Sequence, residues 1–475
     1  MELTEIYARK KDFHINTRNS QSNDSVSSST MTSKEPPPVP PIAPAVEDFD
    51  FVAARVYKHK PTTVLDSTGH LVKGCLGGGI LGIPEAVMKA GLWTGAVFTI
   101  IFGVYVAYCI HILVSSAQIL YVKLKITYMS YSDLAEHSVA SGPFPKYAHF
   151  GKCFRYFVDF VICIDLYGSC CCYFIIIGKT AQQLTSNTDP EVDKGTLRLY
   201  ILACLIPILI LCMITSLKYL APFSIVADFF VVVCVIATVV YSWKKAPKLS
   251  ERPAFKDFIG FFEFCGVVVF SMEGIGVSLP IENEMKEPKK FPIVLVCGYA
   301  IVVSGVLITG FFGYWGFGEG VVSPVTLNFP NDLFPTLLKA MIALVIYVTF
   351  ALNFYPPFHL CWFYLAKKYP PEKHWFWERV YRAIFVVIIC GVAVAFPDVG
   401  NMMGLIGAFC LSNMGFIFPA IIDTLIIWHS PGFGPGRWRL WKNIFIAVLG
   451  FILLISGTYT NGKALLGFKS KEEKI

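Results

Sequence analysis

The stretch DSTGHLVKGCLGGGILGIPEAVMKAGL, from Asp66 to Leu92, decides the fold of this chain. It is apolar enough and long enough to cross a bilayer. The residues that interrupt it as a helix are Gly77, Gly78, Gly79, Gly82 and Pro84. Lipid cannot satisfy freed backbone groups, so irregular backbone at that depth is stable only where it is buried in protein or lines a wet cavity. The stretch therefore predicts a broken membrane helix beside a cavity.

The first half of this stretch carries polar and small residues on one helical face. His70, Lys73, Gly74 and Gly77 are spaced at i, i+3, i+4 and i+7, and residues at that spacing share a face. We expect this face to point into the helix bundle. His70 then lies about 10 Å of helix before the break.

The whole chain is too apolar for a soluble protein. Of its 475 residues, 55% are hydrophobic and 15% are charged, and the mean hydropathy is +0.58; these values indicate a polytopic membrane protein. The formal charge of +7 lies in loops, where anionic lipid accounts for it without a nucleic acid. The fifteen cysteines lie almost wholly in apolar spans and form no CxxC pair, so we predict no metal site, cofactor or disulfide framework.

The predicted domain organisation has three parts. Residues 1–60 are polar and are expected to form a disordered cytosolic tail. Their run EPPPVPPIAP fits a plain spacer or a ligand for an SH3 or WW partner. Residues 61–460 form the transmembrane domain, and residues 461–475 form a short polar tail.

Apolar stretches long enough to span recur along the transmembrane domain. With the broken first span they predict eleven helices, the other ten being at Trp93–Val122, Phe154–Gly178, Leu197–Thr215, Pro222–Trp243, Phe258–Pro280, Pro292–Phe317, Leu333–Tyr364, Val380–Phe396, Met402–Trp428 and Trp441–Thr460. The loop lysines and arginines favour a cytosolic N-terminus. The basic cluster between Lys244 and Lys256 argues against this orientation.

The sixth span, like the first, contains residues that interrupt a helix. In FCGVVVFSMEGIGVSLPIENEMKEP (Phe264 to Pro288), Glu273 sits in mid-span beside Gly274, and Pro280 follows. Two interrupted spans that are five apart are typical of inverted-repeat transporters whose site lies between the breaks. Spans one to five and six to ten are then the repeats, and span eleven is an addition.

Broken helices offer a site for a molecule that carries both charges. Half-helices expose amide N–H groups at one end and carbonyl groups at the other, which suit an anion and a cation. We predict that the backbone at Gly77, Gly78 and Gly79 binds an amino acid carboxylate, and that carbonyls near Phe270 and Ser271 bind its ammonium group. The alternative is that both breaks are only structural kinks.

Among the ionisable residues inside predicted spans, four are candidates for handling a proton. A histidine changes its charge near neutral pH, so His70 is a candidate for proton coupling, although it could be a satisfied structural group. Glu273 could be its partner, an acceptor for the broken backbone, or a second proton site. Asp159 and Asp165 could form a relay or pair with Lys73 or with backbone.

Several motifs resemble those of the proton-coupled amino acid transporters (PAT type), which belong to the amino acid/auxin permease family and the APC superfamily. The matching blocks are His70 to Gly74 with GGGILGIPEAVMKAG, FSMEGIGVSLPIENEMKEPKKFP, VTLNFPN, ALNFYPP and GLIGAF. The resemblance implies an all-α, LeuT-like fold with helices 1 and 6 broken. It also implies import of small neutral amino acids, such as glycine, alanine or proline, with a proton.

The resemblance assigns further residues. It implies that His70 and Glu273 take part in proton coupling and that Gly168, Cys170, Cys171 and Tyr173 flank the pocket, with Asn353 and Tyr355 brought towards it. We expect a multi-pass protein of the plasma membrane, with an endosomal or lysosomal membrane as the alternative. An amino acid sensor and a proton-independent facilitator are the open alternatives, whereas no nucleophile with its own base suggests an enzyme.

Overall fold

The computed structural model describes residues 49–57, 60–143, 145–186, 193–214, 221–245, 248–428 and 430–467, without the side chains of residues 145 and 221–225. The regular elements in these ranges are helical. The α-helices are α1 (Val64–Cys75), α2 (Ile83–Ala90), α3 (Leu92–Leu124), α4 (Tyr131–Ala140), α5 (Phe150–Ser186), α6 (Lys194–Ala203), α7 (Leu205–Cys212), α8 (Ala221–Lys245), α9 (Phe258–Ser271), α10 (Ile275–Glu284), α11 (Phe291–Phe317), α12 (Leu333–Leu365), α13 (His374–Ala395), α14 (Val399–Ile406), α15 (Phe418–Ile427) and α16 (Trp438–Leu465). A π-helical segment, Gly407–Ile417, joins α14 to α15.

Within the described ranges, nine helical segments are long and apolar enough to cross a membrane. Two of the eleven predicted spans are not among them. The first is divided into helices of 12 and 8 residues. The other is α13, which carries Glu378, Arg379 and Arg382 near its start. The count of eleven remains a prediction, and most of the two predicted tails lies outside the described residues.

The first span is broken where the glycines predicted it. Helix α1 starts with a capping box, in which the Thr63 hydroxyl accepts the Asp66 N–H at 3.3 Å and the Asp66 carboxylate accepts the Thr63 N–H at 3.1 Å. It ends at Cys75, and a short 3₁₀ turn, Gly78–Leu81, leads to α2. Pro84 lies in the first turn of α2, where its missing N–H leaves no hydrogen bond unmade.

The sixth span is broken between α9 and α10. Helix α9 begins with Asp257, whose carboxylate accepts the Gly260 N–H at 2.6 Å, and ends at Ser271. Gly274 precedes the first turn of α10. The Tyr299 hydroxyl of α11 donates to the Met272 carbonyl at 2.9 Å, which satisfies one carbonyl that the break leaves free.

The two broken spans run antiparallel, side by side. At one end the Lys256 N–H donates to the Ala90 carbonyl at 3.1 Å. At the other end the Thr62 N–H donates to the Glu284 carbonyl at 2.9 Å, and the Lys286 N–H returns to the Thr62 carbonyl at 3.0 Å. Their breaks therefore meet in the middle of the bundle.

Helix α9 packs against the tenth span, which comprises α14, the π-helical segment and α15. The two backbones are in direct contact. A Cβ atom at Gly266 would lie 2.2 Å from the Gly404 carbonyl oxygen, and one at Gly407 would lie 2.0 Å from the Gly266 carbonyl oxygen. Real Cβ atoms do not approach that closely. Only glycine permits this contact.

Candidate binding site between the two broken helices

The two breaks contact each other through Gly79. This glycine is buried, and a Cβ atom on it would lie 2.8 Å from the Ser271 Cα and 3.2 Å from the Phe270 Cδ1. The backbone predicted to bind a carboxylate therefore faces the backbone predicted to bind an ammonium group. The separation of the two charges in an α-amino acid suits such facing segments.

Tyr173 of α5 closes one side of this contact. Its hydroxyl lies within hydrogen-bonding reach of the Gly78 amide and accepts from the Asn353 Nδ2 at 3.1 Å. A Cβ atom at Gly77 would lie 3.7 Å from the same hydroxyl. An oxygen acceptor is thus already placed where a carboxylate oxygen was predicted.

Tyr355, the other residue assigned from α12, lies elsewhere. Its ring centroid is 4.0 Å from that of His359, and the Arg382 guanidinium is 5.8 Å from the Tyr355 ring. Residues two apart on a helix point to nearly opposite sides, about 200° apart. The structure therefore brings Asn353 to the glycines and turns Tyr355 towards α13.

The residues that precede Tyr173 on α5 pack against other helices. Gly168 faces Ile406, the Cys170 Sγ lies 3.8 Å from the Phe350 carbonyl, and the Cys171 Sγ lies 3.6 Å from the Ile389 carbonyl. They hold α5 against α12, α13 and α14, and so fix the position of Tyr173.

Glu273 lies in the second break, beside a carboxyl group from α5. The Glu273 and Asp165 side chains are within hydrogen-bonding reach of each other. Asp165 is 1% exposed, and its Oδ1 has no hydrogen-bond partner. Asp159, six residues earlier, accepts hydrogen bonds from Ser132 and, at 3.3 Å, from the Tyr364 hydroxyl.

His70 is exposed to a cavity of about 400 Å³ at the start of α1. Lys73 lines this cavity too, close enough to Asp228 of α8 for their charges to interact. Gly74 instead faces Val277 of α10, where a Cβ atom would lie 2.9 Å away. The face predicted to point into the bundle is therefore divided between a cavity and a helix contact.

A buried ion pair holds the α10 end of the two broken spans. The Arg55 guanidinium binds both carboxylate oxygens of Glu282, at 2.9 and 3.0 Å, and also the Glu282 carbonyl at 2.8 Å. Its Nε donates to the Thr127 carbonyl at 2.9 Å. The sequence pattern placed Arg55 in the N-terminal tail, whereas the structure packs it against the bundle with Phe51, which is 4% exposed.

A second charge cluster holds the opposite end. The Lys89 ammonium of α2 lies 2.9 Å from a Glu263 carboxylate oxygen of α9, 3.6 Å from one of Glu85, and 2.7 Å from the Asn401 Oδ1 of α14. Asn401 in turn donates to the Asp398 carboxylate at 2.8 Å. The only local sequence signal for this cluster was the i, i+4 spacing of Glu85 and Lys89.

Known transporters resemble this chain over most of its length. Residues 60–461 match the family described as transmembrane amino acid transporter protein. The proton-coupled amino acid transporter-like protein pathetic of Drosophila melanogaster is 34% identical over 439 residues, which cover 91% of each chain. The amino acid transporter AVT3C of Arabidopsis thaliana is 27% identical over 461 residues, covering 93% of this chain and 98% of its own.

A solved structure has the same fold. The crystal structure of MhsT in complex with L-phenylalanine matches with a TM-score of 0.50 at 12% identity, covering 82% of this chain and 98% of MhsT. MhsT is a LeuT-fold transporter, so the predicted LeuT-like, all-helical fold with two broken helices is confirmed. The relatives and the fold are those of transporters, not enzymes. The chain therefore belongs to the transmembrane amino acid transporter protein family.

Proposed function

We propose that this protein moves small neutral amino acids, of the glycine, alanine and proline type, across a membrane together with a proton. The observation that carries the proposal is the direct contact of the two broken helices at Gly79, Phe270 and Ser271. Amide groups on one side and carbonyl groups on the other match the carboxylate and ammonium groups of a zwitterion.

The substrate carboxylate takes the place that the Tyr173 hydroxyl holds beside the Gly78 amide. The hydroxyl then donates its own proton to the carboxylate, while Asn353 keeps its orientation. Phe270 beside Gly79 and Tyr173 beside Gly78 leave little space, which favours a small side chain. Tyr355 lies on a different face of α12, beside His359, so we do not include it among the residues that bind the substrate.

The relatives give independent support. One is named a proton-coupled amino acid transporter-like protein and another an amino acid transporter, and MhsT was crystallised with L-phenylalanine. In this chain the proton-binding candidates are His70, which is open to the cavity at the start of α1, and Glu273 in the second break.

The plasma membrane is the proposed location, and an endosomal or lysosomal membrane is the alternative. Membrane lipid surrounds the exposed apolar side chains of the spans. Docking of an SH3 or WW partner on the proline-rich run, which lies outside the described residues, remains a prediction.

Uptake into proteoliposomes tests the proposal. Purified protein is reconstituted, and labelled glycine, alanine and proline are offered with and without an inward proton gradient. Accumulation that collapses on adding a protonophore is the expected result. Uptake that equilibrates without regard to the gradient would favour the facilitator, and binding without uptake would favour the sensor.

Replacing His70 with alanine should remove most of the pH dependence of uptake. His70 is the one histidine of α1, and we expect gradient-driven accumulation to fall by about tenfold or more without it. The matched control is His111→Ala, which removes a half-buried histidine of α3. Equal behaviour of the two variants would contradict a role for His70.

A further inference from the structure

We propose that Asp165 and Glu273 together form a proton-binding site, in which one proton shared by their carboxyl groups joins α5 to the break in the sixth span. The inference rests on the proposed symport and names the group that carries its proton. The sequence pattern offered Glu273 several roles and offered Asp165 a relay role or pairing with Lys73 or with backbone. The structure instead places the two acids together.

A hydrogen bond between the two side chains needs a donor. An ionised carboxylate only accepts hydrogen bonds, so two of them within hydrogen-bonding reach need a proton to bind each other. Asp165 is 1% exposed and its Oδ1 lacks a partner. Water therefore does little to screen a negative charge on Asp165.

Among the described groups that interact with the pair, there is no cation that would neutralise the charge of the two carboxylates. The titratable groups that face it from the packed helices are thiols and phenols, namely Cys75 of α1, Cys172 and Tyr173 of α5, Tyr299 of α11 and Cys410 of the π-helical segment. Such groups are ordinarily uncharged at neutral pH. Lys73 and His70 lie in the cavity with Asp228 instead.

The pair is placed where its charge can affect the substrate. The Glu273 N–H donates to the Phe270 carbonyl at 3.4 Å, within the segment proposed to bind the ammonium group. Tyr173, which contacts the Gly78 amide, lies within electrostatic range of Glu273. A change of charge on the pair is therefore felt on both sides of the proposed site.

The shared proton links α5 to the break in the sixth span. While it is present, one carboxyl O–H donates to the other carboxylate, and α5 stays joined to the break. When the proton passes to water, two carboxylates remain and repel each other, which favours separation of α5 from the break. A cavity of about 10 Å³ lined by Glu273 is the size that one water molecule needs.

Neutral amide variants test this assignment. Asp165→Asn and Glu273→Gln keep the shape of each side chain and a hydrogen-bond donor but cannot release the proton. We expect each to lower proton-driven accumulation by about tenfold or more while amino acid exchange, which needs no net proton movement, stays within about threefold of wild type. The double variant should be no worse than the poorer single variant, because the two groups act as one site.

The matched control is Asp159→Asn. This aspartate is also buried in α5, but it is hydrogen-bonded to Ser132 and Tyr364 rather than to a second acid. We expect this variant to retain proton-driven accumulation. Its loss of coupling to the same extent as Asp165→Asn would overturn the inference.

Infrared difference spectroscopy supplies a readout that does not depend on transport. Across a pH step, the wild-type protein should show the C=O stretch of a protonated carboxylic acid. That band should be absent from Asp165→Asn and from Glu273→Gln, and present in Asp159→Asn. The same band in all four proteins would overturn the inference. Because the spectrum does not depend on transport, it tests the shared proton even in a variant that has lost amino acid exchange.

The two proposals fail in different ways. If wild-type protein does not accumulate amino acid on a proton gradient, the symport itself is wrong. If wild type accumulates and both amide variants accumulate equally well, the symport stands and the shared proton is wrong.

Discussion

Replacing Arg55 with alanine lowers the free energy of unfolding by about 3–5 kcal/mol, because it leaves the Glu282 carboxylate buried without its partner. The two side chains are only 3% and 0% exposed. Arg55 also stacks over the Phe51 and Tyr121 rings, at 5.2 and 5.6 Å from their centroids. Unfolding of the purified protein in mixed micelles, titrated with a denaturing detergent, measures the loss.

The control for this variant is a surface ion pair that follows Glu282 in sequence. Lys290 and Glu287 form an ion pair in which both side chains are 52% exposed, so Lys290→Ala should change stability by less than about 1 kcal/mol. Arg55→Lys should fall between the two, since it keeps the charge but loses the bidentate contact. Equal losses for Arg55→Ala and Lys290→Ala would contradict the importance of the buried pair.

Replacing Gly79 with valine abolishes uptake, which we expect to fall at least about 100-fold. Even the Cβ atom of alanine would lie 2.8 Å from the Ser271 Cα, so any side chain must push the two breaks apart. Gly79→Ala should therefore already lower uptake by about tenfold or more. Radiolabelled uptake, normalised to the amount of protein at the cell surface, measures both effects.

Gly305→Ala is the control for the glycine series. This residue of α11 faces the first break, but a Cβ atom there would be 3.7 Å from the nearest side-chain atom, an ordinary contact. Uptake should stay close to wild type. Normal uptake by Gly79→Val would show that the substrate does not bind between the two breaks.

The two breaks could be predicted from sequence because their causes are local. Glycines at 77, 78 and 79 disfavour a continuous helix, and a proline at 84 favours the first turn of a new one. The capping box of α1 depends on Thr63 and Asp66, which are three residues apart. The break in the sixth span also has a local cause, because Glu273 and Gly274 follow the end of α9.

The contacts that hold the site together could not be predicted in this way. Arg55 and Glu282 are 227 positions apart, and a lone arginine after a polar segment carries no signal of burial. The pairing of Asp165 with Glu273 likewise depends on how α5 lies against the break. The position of Tyr355 was equally out of reach, because a motif shared with a family does not show which face of α12 meets the two breaks.

The glycine contact between α9 and the tenth span restricts how the molecule can open. Side chains that interdigitate can slide and exchange rotamers, but the backbones that meet at Gly266, Gly404 and Gly407 have no such freedom. Helix α9 and the tenth span must then travel as a single rigid body. We expect the turning point to lie in the break after Ser271, so that α10 is the half of the sixth span that swings.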